Sequence, residues 1–254
     1  MRMPGSQGIV MAAGKGSRMY PLTEEHGKAF LPLGDKTIMQ HIVEKMVKLG
    51  FSRIIVAVLK RDETIARECL TAATEPAISF LTFEKSIGTA KTLQTAAHLL
   101  GESFLVHYDD VISNVNLRDM MVFHRKSSSI ATIALVTGQK LDYGIVTIDS
   151  SMRVVSFREK PPIQGFVNAA IFAFDHRALK YMEETVSIEE SISNMIEKGE
   201  RVYGYPTGAY WHHLENPSDY IKLVRMMSSG ELDTLRADAT TLGRTGFETH
   251  ANGA

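Results

Sequence analysis

Short apolar runs rich in Val and Ile alternate with segments of helical period through the first half of the chain, and this alternation most limits what it can fold into. Gly8 to Ala13 (GIVMAA) reads as a buried strand. From Thr37 to Leu49, Ile38, Ile42, Val43, Met46 and Leu49 share one helical face, and Gly50 stops the helix. Arg53 to Leu59 is the next strand, followed by a helix from Asp62 to about Ala72. Ile78 to Phe83 and Ser103 to His107 read as strands, with a helix from Thr89 to Leu100 between them. A helix from Asn116 to Lys126 then leads to a strand from Ile130 to Val136. Continuous apolar strands joined by single helices need cover on both faces. The expected fold is therefore α/β, a three-layer sandwich around a mixed, mostly parallel sheet.

After Thr137 the pattern turns β-rich. Gly144–Asp149 and Arg153–Arg158 read as a hairpin around Ser150 and Ser151, and Val167–Phe174 as another strand. Helices are expected at Arg177–Glu184 and Ile188–Glu197, then a strand near Arg201–Tyr205. With no Pro/Gly/Ser linker between two cores, residues 1–227 read as one domain and 228–254 as a weakly ordered tail. Lys plus Arg is 28 against 29 Asp plus Glu, a balance without the basic footprint of a nucleic-acid or membrane-surface binder. The lone Cys69 forms no disulfide within the chain and no Cys-rich zinc site. Met1 to Gln7 carries no apolar run of a signal peptide, and no stretch approaches the roughly 20 apolar residues of a membrane span. The expected compartment is the cytoplasm.

Chemistry concentrates in the run from Gly14 to Thr23 (GKGSRMYPLT), directly after the first strand. Backbone N–H groups at the carboxyl end of a strand can surround phosphates, and glycines let them come close. Lys15 and Arg18 add positive charge. A dinucleotide fingerprint would require G-x-G-x-x-G and an acid ending the second strand, but position 19 is Met and the strand ends Leu59-Lys60.

These residues resemble the sugar-1-phosphate nucleotidyltransferases, whose opening motif L-A-A-G-x-G-[ST]-R-[LM]-x-P-L-T is matched by Met11 to Thr23. Further blocks follow in the family's order: Lys28 to Lys36, Gly88-Thr89-Ala90, Phe104 to Val111 (FLVHYDDV), Phe157 to Pro161 (FREKP) and Val167 to Phe172 (VNAAIF). The resemblance spans roughly residues 8 to 227 and implies a nucleotide-diphospho-sugar transferase-like fold. It implies transfer of a nucleotidyl group from an NTP to a sugar 1-phosphate, with pyrophosphate released. By the same resemblance Ala12, Ala13, Gly14, Lys15, Gly16 and Ser17 form the nucleotide loop, and Gly88 and Thr89 approach the base. Arg18 would hold the triphosphate and Lys28 would approach its phosphates. Gly144, Glu159, Lys160 and Asn168 would form the sugar-phosphate pocket, and Asp110 would bind Mg²⁺. Partners are thus an NTP and a sugar 1-phosphate, with homo-oligomers common in the family. Alternatives are a phosphocholine acceptor, or a regulatory homologue that binds nucleotide without turnover.

Departures from the family pattern carry their own expectations. The block W-x-D-I-G-T-P supplies a second metal aspartate, and here it reads Trp211-His212-His213-Leu214-Glu215-Asn216-Pro217. His213 at that place favours Mn²⁺ or Co²⁺ over Mg²⁺ if it ligates. Glu215 is expected to share its strand face and replace the lost carboxylate; a plain surface pair is the other reading of His212 and His213. Asp109 and Asp110, taken as strand residues, should point to opposite faces, with Asp109 in a solvated turn. Gly27 and Thr37 stand where the family has prolines, and both are expected to loosen their loops. Ala170 replaces a glycine and narrows the sugar floor. Cys69 and the pairs Met120-Met121 and Met226-Met227 are expected to pack, and Lys45 and Lys48 to form a solvated face.

Overall fold

In a computed structural model the structure describes residues 6–71 and 77–232. Its strands are β1 (Gln7–Ala12), β2 (Pro32–Leu33), β3 (Lys36–Thr37), β4 (Arg53–Leu59), β5 (Ala77–Phe83), β6 (Ser103–Tyr108), β7 (Val111–Ser113), β8 (Ala131–Val136), β9 (Ile145–Ile148), β10 (Val154–Arg158), β11 (Val167–Asp175), β12 (Val202–Pro206) and β13 (Trp211–His213). Its α-helices are α1 (Ile38–Lys48), α2 (Glu63–Leu70), α3 (Thr89–Thr95), α4 (Leu117–Ser127), α5 (Ile188–Glu197) and α6 (Pro217–Ser228).

Seven strands form one sheet in the order β12-β8-β11-β6-β1-β4-β5. β1 pairs in parallel with both β4 and β6, while β11 runs antiparallel to β6 and β8. Side chains alternate between two cores. Val10, Ile54, Val56 and Leu105 meet α1, α2, α4 and α6 on one face. Ile9, Ile55, Phe104 and Val106 meet α3 and α5 on the other. The three-layer sandwich with a mixed, mostly parallel sheet is thus the observed fold.

Elements begin and end for local reasons. Thr37 caps α1 in a capping box: Gln40 N–H donates to Thr37 Oγ1 (3.2 Å), and Thr37 N–H donates to Gln40 Oε1 (2.7 Å). Such a cap is worth about 1 kcal/mol, so Thr37 tightens the helix entry rather than loosening it. Two expected helices are shorter or tighter than their pattern. α3 stops at Thr95 and continues as a 3-10 turn over Ala97–Leu99, and Arg177–Glu184 is a 3-10 segment over His176–Met182. Met120 and Met121 are fully buried, whereas Lys45 is not on a solvated face: its Nζ donates to the Ser113 carbonyl at 2.6 Å. Packed chain extends beyond α6 to Leu232, which is buried in the core; residues 233–254 of the expected tail lie outside the described residues. Among the described residues no helix is long and apolar enough to cross a membrane.

Chain order runs from β1 outward through β4 and β5, then returns to place β6 on the other side of β1. That reversal leaves a crevice outside the carboxyl ends of β1 and β6, where open α/β sheets take ligands.

Candidate active site

The crevice is walled first by the loop after β1. Ala12 and Ala13 are buried, and the chain then emerges at Gly14. Gly16 holds φ +65°, a left-handed conformation, and a β-carbon there would already meet Thr23 at 3.2 Å. Thr23 Oγ1 donates to the Gly16 carbonyl (2.8 Å), folding the loop back on itself. The 3-10 turn Ser17–Met19 buries Met19 as an anchor and leaves Lys15, Ser17 and Arg18 exposed. Arg18 pairs with Glu215, which follows β13.

The second wall is the β6 end. Asp109 and Asp110 form a turn between β6 and β7, so strand alternation does not govern them. Asp109 N–H donates to the Met11 carbonyl (3.4 Å), fastening this turn to β1. Both carboxylates are buried, 5% and 7% exposed, which corrects the expectation of a solvated Asp109. Both approach one cation: Lys28 Nζ lies 2.6 Å from Asp110 Oδ2 and 3.7 Å from Asp109 Oδ1. His213 Nε2 lies 3.3 Å from the same Asp110 Oδ2. Asp110 Oδ1 is buried and has no hydrogen-bond partner.

Electrostatics divides the two acids. Burial pushes the Asp109 carboxyl up to about 7, helped by the charge on Asp110 and opposed by Lys28. Burial pushes Asp110 up too, but the His213 hydrogen bond and the Lys28 charge outweigh it and hold the group at about 2. Burial pulls Lys28 down, yet Asp109 and Asp110 overcome it and leave the ammonium above its ordinary value. The cluster therefore presents one cation and one carboxylate biased toward their charged forms beside a second carboxylate biased toward its neutral form. Removing either member of such a buried pair typically costs about 3–5 kcal/mol.

The antiparallel β11 brings its start to the same sheet edge, since Ile171 pairs with His107 of β6. Asn168 Oδ1 accepts from Ala170 N–H (2.9 Å) across an irregularity in the β11–β8 register. Ala170 holds φ +54° there and Lys160 φ +43°. Lys160 and Glu159 are exposed at the foot of the β9–β10 hairpin. A β-carbon at Gly144 would meet Glu159 Oε2 and Phe157 Cζ at 2.9 Å, so glycine lets Glu159 close on the hairpin's start. At Gly88, φ is +91° and a β-carbon would fall 2.4 Å from the Val186 carbonyl. Thr89 Oγ1 accepts from Ile188 N–H (3.0 Å), tying this loop to α5.

Two expectations change around β13, and one residue joins the site. His212 and His213 are not a surface pair: His212 is buried with Nε2 bonded to the Asp219 carbonyl (2.8 Å), and His213 faces Asp110. Glu215 lies beyond the end of β13 and serves Arg18 rather than standing beside His213. Trp211, missed in the sequence, stacks on His213 (ring centroids 5.7 Å, 19°) while its Nε1–H donates to the Ala169 carbonyl (3.0 Å). The signal for it was available: it is the chain's single tryptophan, two residues before the altered ligand position.

Comparison with known proteins settles the class. The profile described as nucleotidyl transferase matches residues 7–229. The chain belongs to the nucleotidyl transferase family. Relatives of this nucleotidyl transferase include the bifunctional protein GlmU of Methanocaldococcus jannaschii, 27% identical over 239 residues, covering 91% of this chain and 55% of the relative. Mannose-1-phosphate guanylyltransferase of Mycobacterium tuberculosis is 27% identical over 224 residues, covering 84% and 62%. The chain thus spans a little over half the length of the curated relatives it matches. A solved putative glucose-1-phosphate thymidylyltransferase from Bacillus anthracis superposes with a TM-score of 0.68 at 19% identity, covering 95% of this chain and 98% of that one. That neighbour supports the fold.

Proposed function

We propose that this nucleotidyl transferase joins an NTP and a sugar 1-phosphate to give an NDP-sugar and pyrophosphate. A phosphate oxygen of the acceptor attacks the α-phosphorus in line, and the bond from that phosphorus to the bridging oxygen of the β-phosphate breaks. Both reactants are anions, so the chain's task is positioning and charge management. The observation that carries the reading is the part-buried Lys28–Asp110 pair beside the loop after β1. Lys28 supplies a charge held above its ordinary value where the phosphates would lie. Arg18 leaves Glu215 to hold the leaving pyrophosphate. Glu159, Lys160 and Asn168 receive the sugar phosphate at the opposite wall.

Asp110 Oδ1 fits a hard divalent cation, being a buried carboxylate oxygen without a hydrogen-bond donor. Among the described residues no cluster of three or more His, Cys, Asp or Glu could hold an ion alone. Asp110, assisted by His213, would therefore hold Mg²⁺ together with substrate phosphates. When bound, such an ion neutralises phosphate charge and orients the attack. Imidazole at 213 shifts the preference toward Mn²⁺ or Co²⁺, and His213→Asp should restore the preference for Mg²⁺.

A nucleotide-binding protein without turnover is the second reading, favoured by Glu215 occupying Arg18 and by the missing second aspartate. One assay separates them: four NTPs against a panel of sugar 1-phosphates and phosphocholine, with each metal, read by pyrophosphate release. Nucleotide binding without release in any combination would sink the enzymatic reading. Release only with phosphocholine would replace the acceptor.

A further inference from the structure

Asp62 is fully buried, yet its carboxylate has few partners for a charge held inside a protein. Oδ1 accepts from Gly27 N–H at 3.1 Å and lies 3.4 Å from His26 Nδ1. Oδ2 has no hydrogen-bond partner, and its nearest charge is Arg61 Nε at 3.7 Å. Asp62 also occupies the N-cap position of α2, where an aspartate ordinarily accepts from its own helix, but it makes no such bond. The side chain instead reaches from the end of β4 to the loop that carries Lys28. Burying a carboxylate with so little compensation is costly, and what it secures here is one main-chain N–H.

That N–H is one residue before Lys28, whose Nζ sits 2.6 Å from Asp110. Gly27 itself holds φ −63° and ψ 157°. That φ is the one a proline ring enforces, the ψ lies in the extended range common to prolines, and proline is the residue the resembled family places here. A proline would fix the backbone covalently and offer no N–H. Glycine lacks that restraint and leaves an N–H that must be satisfied. Deepening the function proposed above and resting on it, we infer that Asp62 is a positioning residue for Lys28: its buried carboxylate holds Gly27 in a proline-like conformation and so aims the lysine at Asp110 and the incoming phosphates. Gly27 therefore does not loosen the loop, because its fixation has moved from a ring to a buried hydrogen bond with Asp62.

A double-mutant cycle on the full chain tests this with four proteins: wild type, Asp62→Ala, Gly27→Pro and the pair. Asp62→Ala should lower kcat by about 10- to 100-fold, as misplacement by an ångström does, with little change in KM for the acceptor. Gly27→Pro alone should also be damaging, since it removes the donor and brings a β-carbon to 3.1 Å from Asp62 Oδ2. Together they should recover much of kcat, because the ring replaces the bond and the alanine clears the space; such sign reversal marks direct coupling. Asp62→Asn keeps an acceptor for Gly27 and should lose clearly less than Asp62→Ala, which guards against a variant that fails to fold. The second readout needs no turnover: acetylation of Lys28 by an N-hydroxysuccinimide ester, followed by mass spectrometry. Labelling should rise several-fold in Asp62→Ala and fall back in the pair. If the two substitutions are additive in kcat and Lys28 labelling is indifferent to Asp62, the inference is wrong. If wild type turns over nothing but the labelling order holds, the proposed reaction fails while the positioning role stands.

Discussion

The loop after β1 and the β6 turn, taken together as the first wall of the crevice, and the β9–β10 ribbon, proposed above as the opposite wall, are built to different standards. On the β1–β6 side, Asp109 and Asp110 are buried and both face the half-buried Lys28, whose Nζ bonds Asp110, and the loop from Gly14 to Thr23 is tied to itself. On the other side, β9 and β10 form a two-stranded ribbon outside the main sheet, with Val146, Val154 and Phe157 48%, 57% and 64% exposed. A lone two-stranded ribbon is marginal in water by itself. Under the function proposed above, the triphosphate would meet a wall already preorganised, whereas the acceptor would settle the geometry of the ribbon as it binds. Preorganised charge acts on kcat and late-formed contacts act on KM, which is the pattern mutations should reproduce.

Asp110→Ala should break the first wall most severely. It removes the only anion the cluster holds firmly and leaves Lys28 facing Asp109 alone. Pyrophosphate release should drop below detection and stability should fall by about 3–5 kcal/mol, read by urea titration. Asp110→Asn should recover part of the stability but not the turnover. Full activity in Asp110→Ala would overturn the metal and charge assignment together.

Arg18→Ala comes next. In the role proposed for it, its charge would be needed most as negative charge builds on the departing pyrophosphate, so kcat should fall by the equivalent of about 2–4 kcal/mol while KM for the NTP moves little. Unchanged kcat would show that Glu215 keeps Arg18 throughout the reaction. Lys160→Ala should show the opposite signature on the second wall. A charge-assisted contact worth about 1.5–3 kcal/mol should raise KM for the sugar phosphate 10- to 100-fold and leave the NTP unaffected. Equal effects on both substrates would place Lys160 elsewhere.

Much of this was legible in the sequence because periodicity reports burial. The parallel core strands and α1 were placed to within a few residues, since Val10, Val56, Ile42 and Met46 must all meet one apolar layer. The order of the motif blocks likewise located the loop after β1 and the carboxyl end of β6. Contacts between residues distant in the chain were not legible. Nothing in the local pattern says that Asp62 reaches Gly27, that Glu215 meets Arg18, or that Trp211 underlies His213. Asp109 departs from its local pattern for a related reason: it and Asp110 form a turn, where strand parity does not hold.

Acid should sharpen the same contrast through stability. His124 on α4 is buried, its Nδ1 within 2.9 Å of Thr132 Oγ1 and 3.0 Å of Ser129 Oγ. Burial pushes its pKa down to about 4, with Asp175 opposing and Arg125 assisting. The unfolded chain, titrating near 6.5, takes up the proton first. The stability this ring contributes is thus complete above about 6.5 and lost as pH falls toward 4. His124→Gln should flatten the pH dependence of the urea midpoint over that window, whereas Tyr143→Phe, an exposed change just before the β9–β10 ribbon, should leave it as in wild type. An unchanged pH profile in His124→Gln would mean that another group controls acid unfolding.

Ala170→Gly tests the smallest difference between the walls. Ala170 holds φ +54°, and a non-glycine residue in that left-handed region costs about 1–2 kcal/mol. Glycine relieves the cost but enlarges the unfolded ensemble by about 0.4–1 kcal/mol, and it gives up the packing of the methyl against the core below β11. The three terms leave a net gain of at most about 1 kcal/mol, a rise in Tm of about 2–4 °C for a chain of this size. The strained residue sits beside Asn168, whose side-chain oxygen accepts its N–H at 2.9 Å. Relief of strain should therefore let Asn168 turn more readily, changing KM for the sugar phosphate by less than about threefold and leaving KM for the NTP where it was. A lower Tm would show that the methyl's packing outweighs the backbone strain. A change in kcat instead of acceptor KM would mean that β11 belongs to the preorganised wall after all.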